Sequence, residues 1–185
     1  RTVVKAGVIT VSPKQIKQLP SIGGDADIAQ YLPVLPGIVS TGDQGGQIYI
    51  RGGAPVQNKI MIDGMTIFNP FHSIGIFSVF ETEAIKTIDV NSAGFNVEHG
   101  GRVSAIVDIK TKDGNKKRFG GVVGVSPFNA KAVLEGPLVK LNEEKAFSSS
   151  FLVSYKRSLL DLTSKSLYSY INKDGLPFSF EDYYG

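Results

Sequence analysis

The stretch from Gln47 to Ile67 constrains the fold of this chain more than any other. It contains two short runs rich in β-branched residues, and each run ends in a charged residue followed by glycine, Arg51-Gly52 and Asp63-Gly64. β-Branched runs favour strands, and the glycines indicate backbone that bends sharply or closely approaches another segment. We therefore predict a hairpin-like pair of strands joined by the turn 54–58, with Arg51 and Asp63 at the strand ends.

The composition excludes several classes of protein. With 42% hydrophobic and 20% charged residues, the chain is not expected to be disordered. A net charge of +3 is too small to indicate a nucleic-acid partner. Cysteine is absent, which excludes disulfides and thiolate metal sites. We find no signal peptide and no apolar run of about 18 residues, so no transmembrane helix is predicted. The start at Arg1 suggests a processed or truncated chain.

Short elements are predicted before the central stretch. A strand is expected at Val8–Val11, and Ser12 followed three residues later by Gln15 predicts the start of a helix. Asp25 is a second candidate N-cap. It precedes an apolar helical stripe over residues 28–35, which prolines end after about two turns.

Further strands are predicted after the central stretch, at 85–90 and 103–111. The composition of the sequence changes at about residues 112–118, and we interpret this change as a domain boundary. Strands at 121–125 and 130–135 follow it, and the tail over 164–185 is predicted to be a long loop.

The segment 147–156 alternates an aromatic and β-branched face with a face of mainly small polar residues. Strands of transmembrane β-barrels have this length of about ten residues and this alternation. A half-buried strand of a soluble sheet alternates equally well, so both interpretations stay open for this segment.

The residues capable of catalysis form no recognisable site. The only histidines, His72 and His99, lack the spacing of metal ligands. No nucleophile elbow or phosphate-binding loop occurs in a suitable context. Nothing fixes the separation of the four carboxylates that could act as a pair, and glycine-flanked Asp63 is more simply a turn residue. These four are Asp63, Glu81, Glu83 and Asp108. We predict no catalytic residue, no metal and no cofactor.

Arg51 and Arg102 are more informative as a pair, because each adjoins Gly-Gly and each lies at the end of a predicted strand. They are either solvated at turns or presented to carboxylates on another surface. The second hypothesis is the sharper one, since bidentate geometry favours arginine over lysine there.

Five motifs, in this order and spacing, resemble the plug domain of TonB-dependent outer-membrane receptors. They are Leu35-Pro36-Gly37-Ile38, Ile50-Arg51-Gly52-Gly53, Met61-Ile62-Asp63-Gly64-Met65, Glu83–Val90 and His99–Thr111. The resemblance covers about Val8 to Lys112. Two further segments, Phe68–His72 and Gly101–Ser104, resemble the branch whose full-length members often carry an extra N-terminal β-sandwich domain.

The resemblance implies an α+β fold in two parts. Residues 1–115 would form a small mixed-sheet plug domain with short helices. Residues 116–185 would form the first antiparallel strands of a transmembrane β-barrel, about three strands and a loop, with Glu135–Leu138 at a short periplasmic turn. In this family the plug lies inside a 22-stranded barrel in the outer membrane of Gram-negative bacteria. Three strands cannot close a barrel, so we expect a fragment of a longer chain.

The resemblance also implies a function. The plug would block the barrel lumen until TonB, powered from the inner membrane, acts on it and ligand is released to the periplasm. Arg51 and Arg102 match the family's arginines that pair with barrel glutamates, and the candidate ligand-facing loop comprises Asn69, Phe71 and His72. The implied partners are the remainder of the barrel, outer-membrane lipid, and TonB through a segment not in this chain; no nucleic acid is expected.

Two alternatives remain open. A plug and barrel that do not transport would act as a docking or closure subunit of another outer-membrane machine, with a lipoprotein or envelope-machine partner. The other alternative is a soluble β-rich module that binds or hydrolyses a ligand. Our prediction is that the chain is not an enzyme.

Overall fold

A computed structural model describes residues 7–19, 21, 25–41, 47–72, 77–92, 104–139, 147–167 and 179–185, the side chains of 165–167 excepted. The chain divides into two units. Unit 1 comprises residues 1–22 and 26–111, and unit 2 comprises residues 23–25 and 112–185.

Unit 1 is built on a five-stranded mixed sheet. In spatial order its strands are β1 (Val8–Val11), β8 (Ile85–Asn91), β9 (Ala105–Thr111), β4 (Asn58–Ile62) and β5 (Met65–Ile67). The pairing of β4 with β9 is parallel, and the other neighbours pair antiparallel. Two two-stranded ribbons accompany the sheet, β2 (Ile38–Thr41) with β3 (Gln47–Ile50), and β6 (Phe71–His72) with β7 (Phe77–Ser78).

The sheet has one apolar face and one largely polar face, because side chains alternate along each strand. Val107 and Ile109 on the apolar face are no more than 1% exposed. On the polar face, Thr10 Oγ1 donates a hydrogen bond to Asp89 Oδ1 at 2.6 Å, and Lys110 Nζ lies 3.7 Å from an Asp108 oxygen. The predicted strands at Val8–Val11 and 85–90 are confirmed, and the strand predicted at 103–111 is confirmed from Ala105 onward.

Two short helices are present near the start of unit 1. Helix α1 (Pro13–Ile16) begins as predicted, because the Ser12 N–H and Oγ both donate to Gln15 Oε1 at 2.8 Å. Helix α2 (Ile28–Tyr31) continues into a 3-10 turn at Leu32–Val34. The predicted apolar stripe is confirmed, since its three residues are all buried: Ile28, Leu32 and Leu35.

The predicted cap of helix α2 was wrong by two residues. Asp27, not Asp25, is the N-cap: its Oδ1 accepts a hydrogen bond from Ala29 N at 2.8 Å. Its other oxygen, Oδ2, accepts from Ser78 N at 3.0 Å. Asp27 is therefore selected by a contact with strand β7, 51 residues away, which local sequence does not reveal.

The predicted hairpin between the two β-branched runs is also wrong, because β3 pairs with β2 whereas β4 pairs with β5 and β9. Arg51 and Gly52 have φ of 49° and 77°, and this tight turn folds Gly53 back onto Ile50. A 3-10 turn at Pro55–Gln57 then leads the chain into β4. The real hairpin, β4–β5, lies at Asp63-Gly64, whose φ values of 47° and 84° suit a two-residue loop.

Unit 2 is a four-stranded antiparallel sheet in the order β10 (Gly120–Val125), β11 (Asn129–Val139), β12 (Ser149–Ser158) and β13 (Glu181–Tyr184). Helix α3 (Leu160–Leu167) follows β12. The predicted loop over 164–185 is thus wrong at both ends, since it contains the end of α3 and strand β13; its residues 168–178 lie outside the described residues.

The predicted turn at Glu135–Leu138 lies inside strand β11. Strand β10 begins at Gly120, opposite Glu135, and the register with β12 shifts between Pro137 and Val139. Proline lacks an N–H and is tolerated in a sheet at such an irregularity, so the strand continues through it.

The strands of unit 2 turn their apolar side chains outward. Val123, Val153 and Tyr183 are 76%, 42% and 73% exposed, whereas Lys156 and Ser158 are 3% and 0% exposed. A strand of a soluble sheet buries its apolar face, so this inverted pattern favours the barrel interpretation that the sequence left open. Among the described helices, none has both the length and the apolar character needed to cross a membrane.

We predict that Asp27→Ala weakens local structure around the N-cap. The change removes the cap and leaves the buried Ser78 N–H without its acceptor, a loss of about 2–4 kcal/mol. Hydrogen exchange of the full-length protein should show the amide of Ser78 exchanging roughly 30- to 700-fold faster. The exposed Asp113→Ala serves as the control and should leave this amide unchanged; equal protection in both variants would contradict the role assigned to Asp27.

Candidate functional site

Arg51 occupies a tight turn at the end of β3. Its backbone N–H donates to Gly37 O at 2.7 Å, and Gly53 N donates to Ile50 O at 2.9 Å. The stem of Arg51 passes close to Gly37, where a Cβ would lie 3.4 Å from Arg51 Cγ. The side chain is exposed and forms no ion pair with any residue that the structure describes. The turn therefore presents a guanidinium without an internal carboxylate partner in this part of the chain.

The turn that carries Arg51 is fastened to the segment that follows Arg102. Ser104 Oγ donates to Ile50 O at 2.6 Å, and Ser104 N donates to Gln57 O at 3.3 Å. A Cβ on Gly53 would lie 2.0 Å from Ser104 Oγ, so glycine is required there for this approach. The contact that Ser104 makes with this turn was not predicted from the sequence. Arg102 itself lies outside the described residues, so its predicted role stays a prediction.

The three residues of the candidate ligand-facing loop differ in exposure. Asn69 is exposed and His72 half-buried, while Phe71 on strand β6 is buried, at 7% exposure. Asn69 and Phe71 line a cavity of about 280 Å³ together with Phe68, which is 86% exposed, and Asn58. The amide of Asn58 is fixed by donation from Nδ2 to Ile48 O at 2.6 Å.

Asp63 is a turn residue, as predicted, and it also holds the end of strand β9. Its Oδ1 accepts from Thr111 N at 3.0 Å, and its Oδ2 accepts from Thr111 Oγ1 at 2.6 Å. The Asp63 N–H donates to Ile109 O at 2.9 Å. Nothing in the sequence around either residue signals this contact across 48 positions.

The other carboxylates considered as a catalytic pair each have a local contact. Glu81 Oε1 accepts from Glu83 N at 3.0 Å, and Glu83 forms an ion pair with Lys17 at 2.6 Å. Asp108 lies beside Lys110. Over the described ranges, no group of three or more His, Cys, Asp or Glu side chains could hold a metal ion. His99 lies outside those ranges.

The outward face of unit 2 carries aromatic pairs in addition to aliphatic side chains. The rings of Tyr155 and Tyr183, cross-strand partners on β12 and β13, have centroids 4.9 Å apart. Toward the other end of the sheet, the rings of Phe119 and Phe151 lie 6.2 Å apart. Aromatic groups bordering an apolar surface are typical of proteins that meet a lipid bilayer.

The comparisons with known proteins agree with this architecture. The model of the TonB-dependent receptor plug domain matches residues 3–106. Similar solved structures include the siderophore receptor PirA from Pseudomonas aeruginosa, at 22% identity and a TM-score of 0.55, covering 83% of this chain and 28% of that one. The outer membrane transporter YddB from Escherichia coli matches at 19% identity and a TM-score of 0.54, covering 82% of this chain and 26% of that one.

This chain therefore spans little more than a quarter of the length of these two structures. No curated protein sequence matches it. Identities below 25% show a shared fold, whereas the family match covers more than half of the chain. The predicted fold class and outer-membrane location are confirmed, and the chain belongs to the TonB-dependent receptor plug domain family.

Proposed function

We propose that this chain is the plug, with the first barrel strands, of a TonB-dependent outer-membrane transporter. The plug blocks the lumen and lets ligand pass to the periplasm when TonB acts on it. The observation that carries this proposal is the combination of a plug domain with strands whose apolar side chains point outward and whose polar side chains are buried.

The division into plug (residues 1–115) and barrel start (residues 116–185) is part of the proposal. Its support is the boundary of the two units after Thr111. Beyond that boundary the chain packs at once on the sheet of unit 2: Lys112 Nζ lies 3.6 Å from Glu135, and a Cβ on Gly114 would lie 2.0 Å from Phe151 O. The residues that directly follow Thr111 are thus held against the strands of unit 2.

The sheet of unit 2 also supports the proposal that further strands flank it. Within the described sheet, β10 and β13 are the outer strands. Strand β10 is exposed along most of its length, including Val123 and Val125 at 76% each. An exposed apolar strand with a free edge readily pairs with another strand, and the remainder of the barrel would supply it.

Arg51 is proposed to fasten the plug to the barrel wall, and Arg102 to assist it. Three features favour this role: a fixed turn, an exposed guanidinium, and the absence of an ion pair for Arg51 within the described residues. A carboxylate on the wall would form a charge-assisted, bidentate pair with such a group. The hydrogen bond from Ser104 to Ile50 holds Ser104, two residues after Arg102 in the sequence, at the same turn.

The cavity beside Asn69 is proposed to receive part of the ligand. Its walls combine amides, from Gln47, Asn58 and Asn69, with apolar side chains such as Phe68. Exposed Asn69 and half-buried His72 would contact the ligand directly, while the buried ring of Phe71 would form the wall beneath it.

We predict that removing residues 1–111 from the full-length receptor opens its pore. Planar-bilayer recordings should show a large, steady conductance for the truncated protein and almost none for the intact protein. A separate measurement with the periplasmic domain of TonB should detect binding to the intact receptor. A barrel that stays closed without the plug would contradict gating, and a gated receptor that never binds TonB would favour the docking or closure subunit.

We also predict that Arg51→Ala makes the intact receptor leak. Loss of one charge-assisted pair costs about 1.5–3 kcal/mol, so channel openings should become roughly 10- to 150-fold more frequent. Arg51→Lys should give an intermediate result, and Lys14→Ala, at an exposed site on α1, should give none. If channel openings are equally frequent in Arg51→Ala and Lys14→Ala, Arg51 does not fasten the plug.

A further inference from the structure

Asp25 belongs to a different structural unit from the plug residues that follow it. It lies within the stretch that the plug model matches, yet residues 23–25 belong to unit 2. Two residues later, Asp27 belongs to unit 1, where it bonds to Ala29 N and Ser78 N. The chain thus changes from one unit to the other between two aspartates that are each held by hydrogen bonds.

Asp25 is held by Lys131 on strand β11. Lys131 Nζ donates to Asp25 Oδ1 at 2.5 Å, and the two side chains are only 9% and 17% exposed. Because water is largely excluded, this pair is screened far less than a surface ion pair. Breaking such a pair exposes each partner to the cost of an uncompensated, partly buried charge.

Lys131 lies on β11, between strands β10 and β12 of the sheet. Its partner on β12 is Lys156, which is 3% exposed, so two buried ammonium groups lie on adjacent strands of the same face. On the other side, Gly124 of β10 leaves space for the lysine stem, since a Cβ there would lie 3.2 Å from Lys131 Cε. Two carboxylates lie near these ammonium groups: Asp25 bonds to Lys131, and Asp182 on β13 is the register partner of Lys156.

Among the described residues before Asp25, strand β1 and helix α1 are held by sheet pairing and by the buried side chains of Val11 and Ile16. Strand β1 is one of the two outer strands of its sheet as described, and it pairs with β8 over four residues. Helix α1 has four residues, and the ion pair of Lys17 with Glu83 is exposed, at 45% for the lysine. Exposed pairs contribute little stability. A pull from the N-terminal side reaches β1 and α1 before Asp25, because they precede it in the chain.

We infer that Asp25 and Lys131 form a latch, which fastens residue 25 to strand β11 and has to break before the following plug residues can be drawn away. This inference rests on the proposed function, because it concerns how a pull through TonB is resisted. Rupture of the latch would be the second barrier to extraction of the plug, after the release of β1.

Single-molecule pulling on the N-terminus of the full-length receptor, held by its barrel in a bilayer, tests this inference directly. After the force peak at which β1 detaches, the wild type should show a second peak when about 60 Å more chain has been drawn out, the extended length from residue 7 to residue 25. In Asp25→Asn and Lys131→Met the rupture force of this second peak should fall by about half or vanish, and the first peak should not change.

Two further variants complete the test. The exchange Asp25→Lys with Lys131→Asp should restore the peak, and Lys17→Met, which removes an exposed ion pair, should leave it unchanged. A second peak of wild-type force in both single variants overturns the latch. If either single variant fails to assemble, the exchange variant decides by the presence or absence of the peak. Pulling requires neither TonB nor ligand, so failure of the proposed transport function would show in conductance and TonB binding and not here.

Discussion

The parallel pairing of β4 with β9 is the constraint on which the rest of unit 1 depends. Parallel neighbours need a long connection, and here the chain between Ile62 and Ala105 supplies β5, the β6–β7 ribbon and β8 before returning. Because β9 lies between β4 and β8, it is covered on both sides, and Ile106 and Ile109 are fully buried. The contact of Asp63 with Thr111 closes the end of this pairing, so a turn residue fixes the register of the central strand.

Two turns with consecutive positive φ values lie at the ends of strands β3 and β4. Arg51-Gly52 ends the β2–β3 ribbon, and Asp63-Gly64 forms the β4–β5 hairpin. In both turns a charged residue takes the left-handed conformation at some cost, with glycine beside it. The two charges then serve different ends: Asp63 bonds inward to strand β9, whereas Arg51 points to solvent from a turn held by Ser104.

Local sequence predicted the elements of this fold well and their pairing poorly. β-Branched runs and capping residues are local signals, so the strand at Val8–Val11 and the Ser12–Gln15 cap were predictable. The choice of Asp27 over Asp25, and the separation of β3 from β4, depend on contacts with residues that are distant in sequence. The continuation of strand β11 through Pro137 was not predicted, because the register shift that tolerates proline exists only when β11 is paired with β12. In the candidate site, the turn at Arg51 could be predicted from its glycines, but no local motif marks Ser104. No local motif marks the ion pair of Lys131 either.

One face of the sheet of unit 2 is proposed to meet lipid, and the other to face the interior of the barrel. Val153 and Ser154 are neighbours on β12 that point to opposite faces, 42% and 8% exposed. A fluorescent label on a single cysteine at each position of the full-length protein in vesicles, read with a quencher carried on lipid tails, tests this directly. The label at Val153→Cys should be quenched several-fold more strongly than the label at Ser154→Cys. Equal quenching, or stronger quenching at Ser154→Cys, would contradict the assignment of these strands to the start of an outer-membrane barrel.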